Sequence, residues 1–283
     1  MIGYLLILLM MWLSPTFWFI SIVLGLGSMA TLYKKCQGKQ PVDFKRPREV
    51  CSFLIILLMR FWHGYEIVGL QNVPDKGPVL IVFYHAPLPL DIACFASQLY
   101  LKKRPSWSVA DRMAKILPFG KNLIPFANLA IEGIDQCEQL LLNGECLLVC
   151  PGGVYEMLFS DDTYKLVWND RLGFAKLALK TNVTILPAFT KNSREAWSPL
   201  DKLDGVWKKL YAKTRWPLKL FYGGLPVKLT TVVGEPINIA DCKTPTEVRD
   251  KIKKELEILI MVHQRIPNTM WMSFAERFKV FSI

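Results

Sequence analysis

Charge is missing from the first 33 residues: between Met1 and Tyr33 no side chain is ionised at pH 7. That absence excludes a soluble nucleic-acid-binding protein, and no basic-aromatic nucleic-acid motif appears elsewhere. A helix needs roughly 20 residues to cross a bilayer, so the segment is too long for one untilted span and short for two. Ser14-Pro15 breaks it near the middle. Two arrangements remain. Thr16 to Tyr33 spans while Ile2 to Leu13 lies at the interface, or the two halves form a hairpin that dips into the membrane. No basic residue precedes the apolar run, which argues against a cleaved signal peptide.

Other absences narrow the chemistry. Histidine is scarce, with only His63, His85 and His263. The seven cysteines show neither metal-ligand spacing nor a paired framework, as expected of reduced thiols facing the cytosol. No Gly-Lys-Ser/Thr follows the glycine turn at 152, so there is no phosphate-binding P-loop. No Gly-x-Ser-x-Gly elbow exists, which argues against a serine hydrolase. Repeats, low-complexity tracts and a second domain are also lacking.

Positive charge is abundant: 35 Lys and Arg face 24 Asp and Glu, a net charge of +11. A membrane-associated chain facing anionic lipid and an acidic cofactor such as coenzyme A accounts for this. Lys34, Lys35, Lys39, Lys45, Arg46 and Arg48 follow the uncharged segment and mark its cytoplasmic side. A second apolar run, Cys51 to Met59, is too short to span. With Arg60, Trp62 and Tyr65 it reads equally as an interfacial helix or a buried core helix. The basic stretch from Lys202 to Lys219, with Trp207, Tyr211 and Trp216, reads as a solvated helix face or a membrane-surface element. The organisation expected is a membrane-embedded segment (1–33), a basic flank and interfacial helix (34–65), and one catalytic domain (66–283).

From residue 66 onward, strand and helix patterns alternate. Val79 to Tyr84, Ser106 to Ala110, Glu145 to Cys150, Val183 to Phe189 and Val227 to Val233 read as strands. Asp91 to Leu101, Cys137 to Leu142 and Asp170 to Lys180 read as helices, the last with Phe174, Leu177 and Ala178 on one face. Thr244-Pro245-Thr246-Glu247 combines a threonine N-cap, proline at the first helical position and a glutamate three after the cap. It opens a helix whose stripe is Val248, Ile252, Leu256 and Leu259. The alternation predicts an α/β domain with a mostly parallel core sheet flanked by helices.

Two of these strands end at residues suited to chemistry, which open α/β sheets carry at the carboxyl ends of strands. Val79-Leu80-Ile81-Val82-Phe83-Tyr84 runs into His85 and, past Pro87 and Pro89, Asp91. The prolines oppose a continuous helix, so a turn there would bring the Asp91 carboxylate to one ring nitrogen of His85. That contact would leave the other nitrogen as a base. Cys150-Pro151-Gly152-Gly153 ends the other strand. It is a tight turn, or a source of backbone N–H groups for an oxyanion. Cys150 itself reads as strand packing. Glu156 is placed to position the turn or an acceptor.

These residues resemble the glycerolipid acyltransferases. The resemblance rests on His85 and Asp91, Pro151-Gly152-Gly153, Ile185-Leu186-Pro187 and Val232-Val233-Gly234-Glu235-Pro236-Ile237. It is closest to the transmembrane protein 68 subfamily, through Phe83-Tyr84-His85, Pro151-Gly152-Gly153-Val154, Asp162-Thr163-Tyr164, Arg171-x-Gly173-Phe174-Ala175 and Tyr222-Gly223-Gly224-x-Pro226-Val227-Lys228-Leu229. It extends from Trp62 to Pro267. The Gly-Gly-x-x-Glu turn, here Gly152 to Glu156, is shared with the diacylglycerol acyltransferase type 2 family. Five residues separate His85 from Asp91, one more than the general motif, and this resembles the subfamily. Tyr155 departs from it, standing where the subfamily relative carries arginine.

The resemblance implies an acyltransferase of the endoplasmic reticulum membrane with a cytosolic catalytic domain. It would transfer an acyl chain from acyl-CoA, or from a membrane phospholipid, to diacylglycerol or monoacylglycerol and so make triacylglycerol. His85 would be the general base, Asp91 its partner, and Gly152 and Gly153 the oxyanion donors. Phosphate-accepting relatives carry a glutamate where Gly152 stands, and its loss favours a neutral acceptor. Arg171, Lys176 and Arg194 are candidates for holding coenzyme A. No metal and no bound cofactor is expected. The alternatives are a lysophospholipid acyltransferase and a catalytically silent lipid-binding protein.

Overall fold

A computed structural model describes residues 15–38, 43–199, 204–215, 219 and 221–278. The expected membrane role of Ile2 to Leu13 lies outside these residues. Two helices lead, α1 (Pro15–Gln37) and α2 (Lys45–His63), followed by β1 (Glu66–Val68), β2 (Val79–Phe83) and α3 (Leu90–Leu101). Next come β3 (Ser106–Val109), α4 (Gly120–Phe126), β4 (Leu129–Ala130), α5 (Ile134–Leu142), β5 (Cys146–Val149), α6 (Gly153–Phe159) and α7 (Gly173–Thr181). The remainder is β6 (Thr184–Lys191), the short α8 (Ser193–Ala196), β7 (Trp197–Pro199), α9 (Asp204–Thr214), β8 (Phe221–Gly223), β9 (Thr230–Val233), α10 (Pro245–His263) and α11 (Met270–Phe278).

Seven strands among the described residues form one sheet in the order β1-β9-β6-β2-β5-β3-β4. Pairing is parallel except between β6 and β9. β2 sits at the centre, buried along its whole length. Leu80, Val82 and Tyr84 pack with residues of α5, α7 and α10 on one face. Val79, Ile81 and Phe83 pack with Ile92, Phe95 and Leu99 of α3 on the other. Burial on both faces explains why β2 is an unbroken apolar run rather than an alternating one. The mostly parallel α/β fold expected from the sequence is therefore present. A separate two-stranded ribbon, β7 with β8, is an addition that the sequence pattern did not reveal.

Among the described residues no helix is long and apolar enough to cross a membrane. The span expected on residues 16–33 falls in α1 and finds no support. The later part of α1 docks on protein instead. Ala30 is buried with Phe44, Cys51, Leu123 and Phe126, and Val23, Leu26 and Met29 pack around them. Gly27 lets α1 approach closely, since a Cβ there would lie 2.9 Å from the Phe119 Cβ. Asn122 Nδ2 donates to Thr31 Oγ1 at 2.9 Å. The second apolar run forms a helix with one buried and one exposed apolar face. α2 buries Cys51, Ile56 and Met59 against the domain, while Phe53, Leu57, Leu58 and Phe61 point outward and are exposed.

The predicted capping box of α10 forms. Glu247 N–H donates to Thr244 Oγ1 at 3.2 Å, and Glu247 Oε2 accepts from Lys243 N–H at 2.7 Å and Thr244 N–H at 3.4 Å. Because α10 covers one face of β2 and β6, its start fixes the wall behind the site. Thr244→Ala should lower unfolding stability by about 1 kcal/mol and Thr244→Ser by less. Denaturant titration that finds the two variants equal would show that the hydroxyl cap contributes nothing.

Candidate active site

β2 and β5 are adjacent and parallel, with Val82 opposite Val149. Their carboxyl ends therefore deliver His85 and the Cys150-Pro151-Gly152-Gly153 turn side by side. His85 is partly buried. Its Nδ1 lies 2.9 Å from the carbonyl oxygen of Ala86. A carbonyl only accepts, so this bond places the proton on Nδ1 and leaves Nε2 unprotonated. Burial lowers the His85 pKa below 6.5, the Ala86 carbonyl opposes that shift, and the charge of Arg171 adds to it. The ring is thus a neutral imidazole at neutral pH, with a free base nitrogen.

Asp91 departs from its expected contact. Pro89 is the N-cap of α3, so Asp91 falls in the first helical turn and is completely buried. Its Oδ1 accepts the Ile92 N–H at 2.8 Å. Its Oδ2 has no hydrogen-bond partner among the described residues. The expected hydrogen bond to His85 is not formed, and the Ala86 carbonyl sets the tautomer in its place. Nothing in the sequence distinguishes a backbone carbonyl for that task. Burial pushes the Asp91 carboxyl up to about 7, against the opposing Ile92 N–H and Thr190 hydroxyl.

Gly153 adopts φ +52°, a conformation suited to glycine, and a Cβ there would collide with Nη1 of Arg171. Its N–H donates to the Cys150 carbonyl at 3.0 Å. Of the two expected oxyanion donors, only the Gly152 N–H is without a partner among the described residues. Arg171 bonds the Pro151 carbonyl at 3.2 Å and remains exposed. It brings a cation to the turn beside His85. Lys176 is exposed on α7.

Arg194 is not with them. It is 3 % exposed, donates to the Tyr84 hydroxyl at 2.8 Å and also binds the Ser160 carbonyl. It is a cation of the interior, behind the site, and is not available to a coenzyme phosphate. The match at Asp162-Thr163-Tyr164 serves the same interior network. Tyr164 Oη donates to Glu195 Oε2 at 2.6 Å and accepts from the Arg194 backbone N–H at 3.2 Å.

Glu156 is fully buried. Its Oε2 accepts the backbone N–H of His85 at 3.2 Å, and its Oε1 accepts that of Val167 at 2.8 Å. Burial pushes its pKa up to about 7, with the Val167 and His85 N–H groups and Arg194 opposing. Sequence reasoning placed Glu156 near the turn but did not foresee Val167 or Thr190 as partners at the site. No local pattern marks either.

A neutral histidine thus faces a glycine turn across two parallel strands, and the acyltransferase family model matches residues 64–191. The chain is 40% identical over 219 residues to the human "DGAT1/2-independent enzyme synthesizing storage lipids", covering 77% of this chain and 67% of that protein. The Bos taurus protein of the same description is 40% identical over 220 residues, covering 77% and 65%. The match thus spans about two thirds of the length of these relatives. The mouse "Diacylglycerol O-acyltransferase 2-like protein 6" is 26% identical over 145 residues, covering 44% of this chain and 42% of that one. Among solved structures, the 1-acyl-sn-glycerophosphate (LPA) acyltransferase PlsC from Thermotoga maritima gives a TM-score of 0.48 at 19% identity, covering 85% of this chain and 97% of that chain. The chain belongs to the glycerolipid acyltransferase family, in the subfamily of the storage-lipid enzymes.

Burial of Asp91 has a consequence for stability. Its folded pKa, about 7, lies above its ordinary value of 3.8. Between those values the folded state holds a proton that the unfolded state has lost, so this group's contribution falls as pH rises through the window. Asp91→Asn removes the effect. Measured by denaturant titration, the variant should gain stability relative to the parent on going from pH 5 to pH 8. A difference between the two that is the same at both values would mean that Asp91 ionises freely in the folded protein.

Proposed function

We propose that this chain transfers a fatty acyl group from acyl-CoA to the free hydroxyl of diacylglycerol, or of monoacylglycerol, to make triacylglycerol. The observation that carries the reading is the neutral His85 ring, protonated on Nδ1 by its bond to Ala86, beside the Gly152 turn. Nε2 of His85 takes the proton of the acceptor hydroxyl as its oxygen attacks the thioester carbonyl. The Gly152 N–H and the Arg171 guanidinium stabilise the resulting oxyanion. The thiolate of coenzyme A then leaves, and the proton on His85 returns to it. No covalent intermediate on the protein is needed.

Asp91 acts once the ring becomes charged. As Nε2 gains a proton, the new cation favours the ionised form of Asp91, which stabilises the imidazolium in turn. Arg171 and Lys176 hold the phosphates of the donor. A neutral acceptor is supported by position 152, where glycine leaves no charged group to bind an acceptor phosphate. The exposed Arg171 beside the turn is what favours the second reading, a lysophospholipid acceptor.

The setting is the cytosolic face of the endoplasmic reticulum membrane. The exposed Phe53, Leu57, Leu58 and Phe61 of α2, beside Trp271 and Phe278 of α11, form an apolar face. The two helices meet where Arg277 Nη2 donates to the Phe61 carbonyl at 3.0 Å. That face rests on the bilayer, flanked by Arg46, Arg60 and Arg277. Changing Phe53, Leu57 and Phe61 together to serine should reduce turnover of long-chain diacylglycerol in vesicles about tenfold. Turnover of a dispersed short-chain diacylglycerol should be kept. Equal loss on both substrates would show that the face serves folding instead.

The reaction is tested in membranes from cells lacking their other triacylglycerol-synthesising enzymes, supplied with labelled oleoyl-CoA and dioleoylglycerol. His85→Ala should abolish labelled triacylglycerol while the protein stays in the membrane fraction. Full activity of the variant would remove His85 from the mechanism. Labelled phosphatidic acid made from added lysophosphatidic acid, with no triacylglycerol, would establish the second reading.

A further inference from the structure

Glycine at 152 is not explained by its backbone. Gly152 has φ −68° and ψ −26°, angles open to any residue. What forbids a side chain there is Glu156. A Cβ on Gly152 would lie 2.5 Å from Cδ and 2.6 Å from Oε2 of Glu156. The Glu156 side chain folds back over the first residue of its own turn, and the Glu156 N–H donates to the Gly152 carbonyl at 3.2 Å. Positions 152 and 156 therefore compete for one buried volume large enough for a single carboxylate.

We propose that Glu156 is the positioning residue of the catalytic histidine, and that Gly152 is glycine because Glu156 fills the space its side chain would need. From that volume the carboxylate reaches two backbone donors on separate segments, His85 at 3.2 Å and Val167 at 2.8 Å. It thereby ties the end of β2 to the turn after β5 and to the segment that follows α6. Both oxygens accept, so the ionised carboxylate serves the arrangement better than a neutral amide, which offers only one carbonyl oxygen. Loss of the tie frees the His85 backbone, and a base displaced by about 1 Å loses up to about a hundredfold in rate. Glu156 is fully buried, with both oxygens on backbone donors, so acyl-CoA binding should be left intact.

The inference rests on His85 being the base, and the test separates the two. Parent, Glu156→Ala, Gly152→Glu and the double variant Gly152→Glu/Glu156→Ala are compared as full chains in membranes. Glu156→Ala should lower kcat at least tenfold with KM for oleoyl-CoA unchanged. Gly152→Glu alone should be as poor or worse, through collision. The double variant should recover at least tenfold over the worse single variant, because a carboxylate carried from position 152 enters the vacated volume. A double variant no better than either single one, or a Glu156→Ala defect confined to KM, would overturn the proposal. Amide hydrogen exchange at His85 gives a readout that needs no product. It should accelerate in Glu156→Ala and slow again in the double variant, and exchange unchanged in Glu156→Ala would refute the tie whatever acceptor the enzyme uses.

Discussion

At the carboxyl ends of β2 and β5, His85, Asp91 and Glu156 lie beside strands that water does not reach, and desolvation decides where each holds its proton. It lowers the affinity of His85 for a second proton and pushes both carboxyls up to about 7. A histidine left in water would be partly charged near neutrality, and the charged fraction could accept no proton. The site exists because β2 is central, flanked on both edges by parallel strands and on both faces by helices. The histidine just past its end is thus neutral.

The same burial sets a tension between stability and chemistry. Asp91 costs the fold stability at neutral pH, and its Oδ2 has no partner among the described residues. The proposed reaction gives that oxygen a use, as the counter-charge of a protonated His85. Glu156 resolves the tension differently. It too is buried and raised to about 7, but each of its oxygens accepts a backbone N–H, so the same burial holds structure in place.

Much of this was legible in the sequence. Val79 to Tyr84 and Glu145 to Cys150 read as buried strands because parallel strands covered on both faces must be apolar throughout. His85, the glycine turn and the capping box at Thr244 stood out by position. The rest was hidden for physical reasons. An apolar helix has the same composition whether lipid or protein covers it, so the docking of α1 on Phe44, Leu123 and Phe126 could not be read. The Ala86 carbonyl and the Val167 N–H are backbone groups that any residue would supply. Arg194 carries the same side chain as Arg171, and only the fold sends one inward to Tyr84 and leaves the other beside the turn. The antiparallel entry of β9 next to β6 depends on pairing across some forty residues, which no local pattern encodes.

The most direct measurement is the nitrogen-15 spectrum of the imidazole of His85 in the full-length protein in lipid, assigned against His85→Ala. The account predicts a neutral ring at pH 7, with the proton on Nδ1 and an unprotonated Nε2, that takes up its second proton only below pH 6.5. A ring already charged at pH 7, or one carrying its proton on Nε2, would contradict it, since Nε2 would then not be free to accept the proton of an attacking hydroxyl.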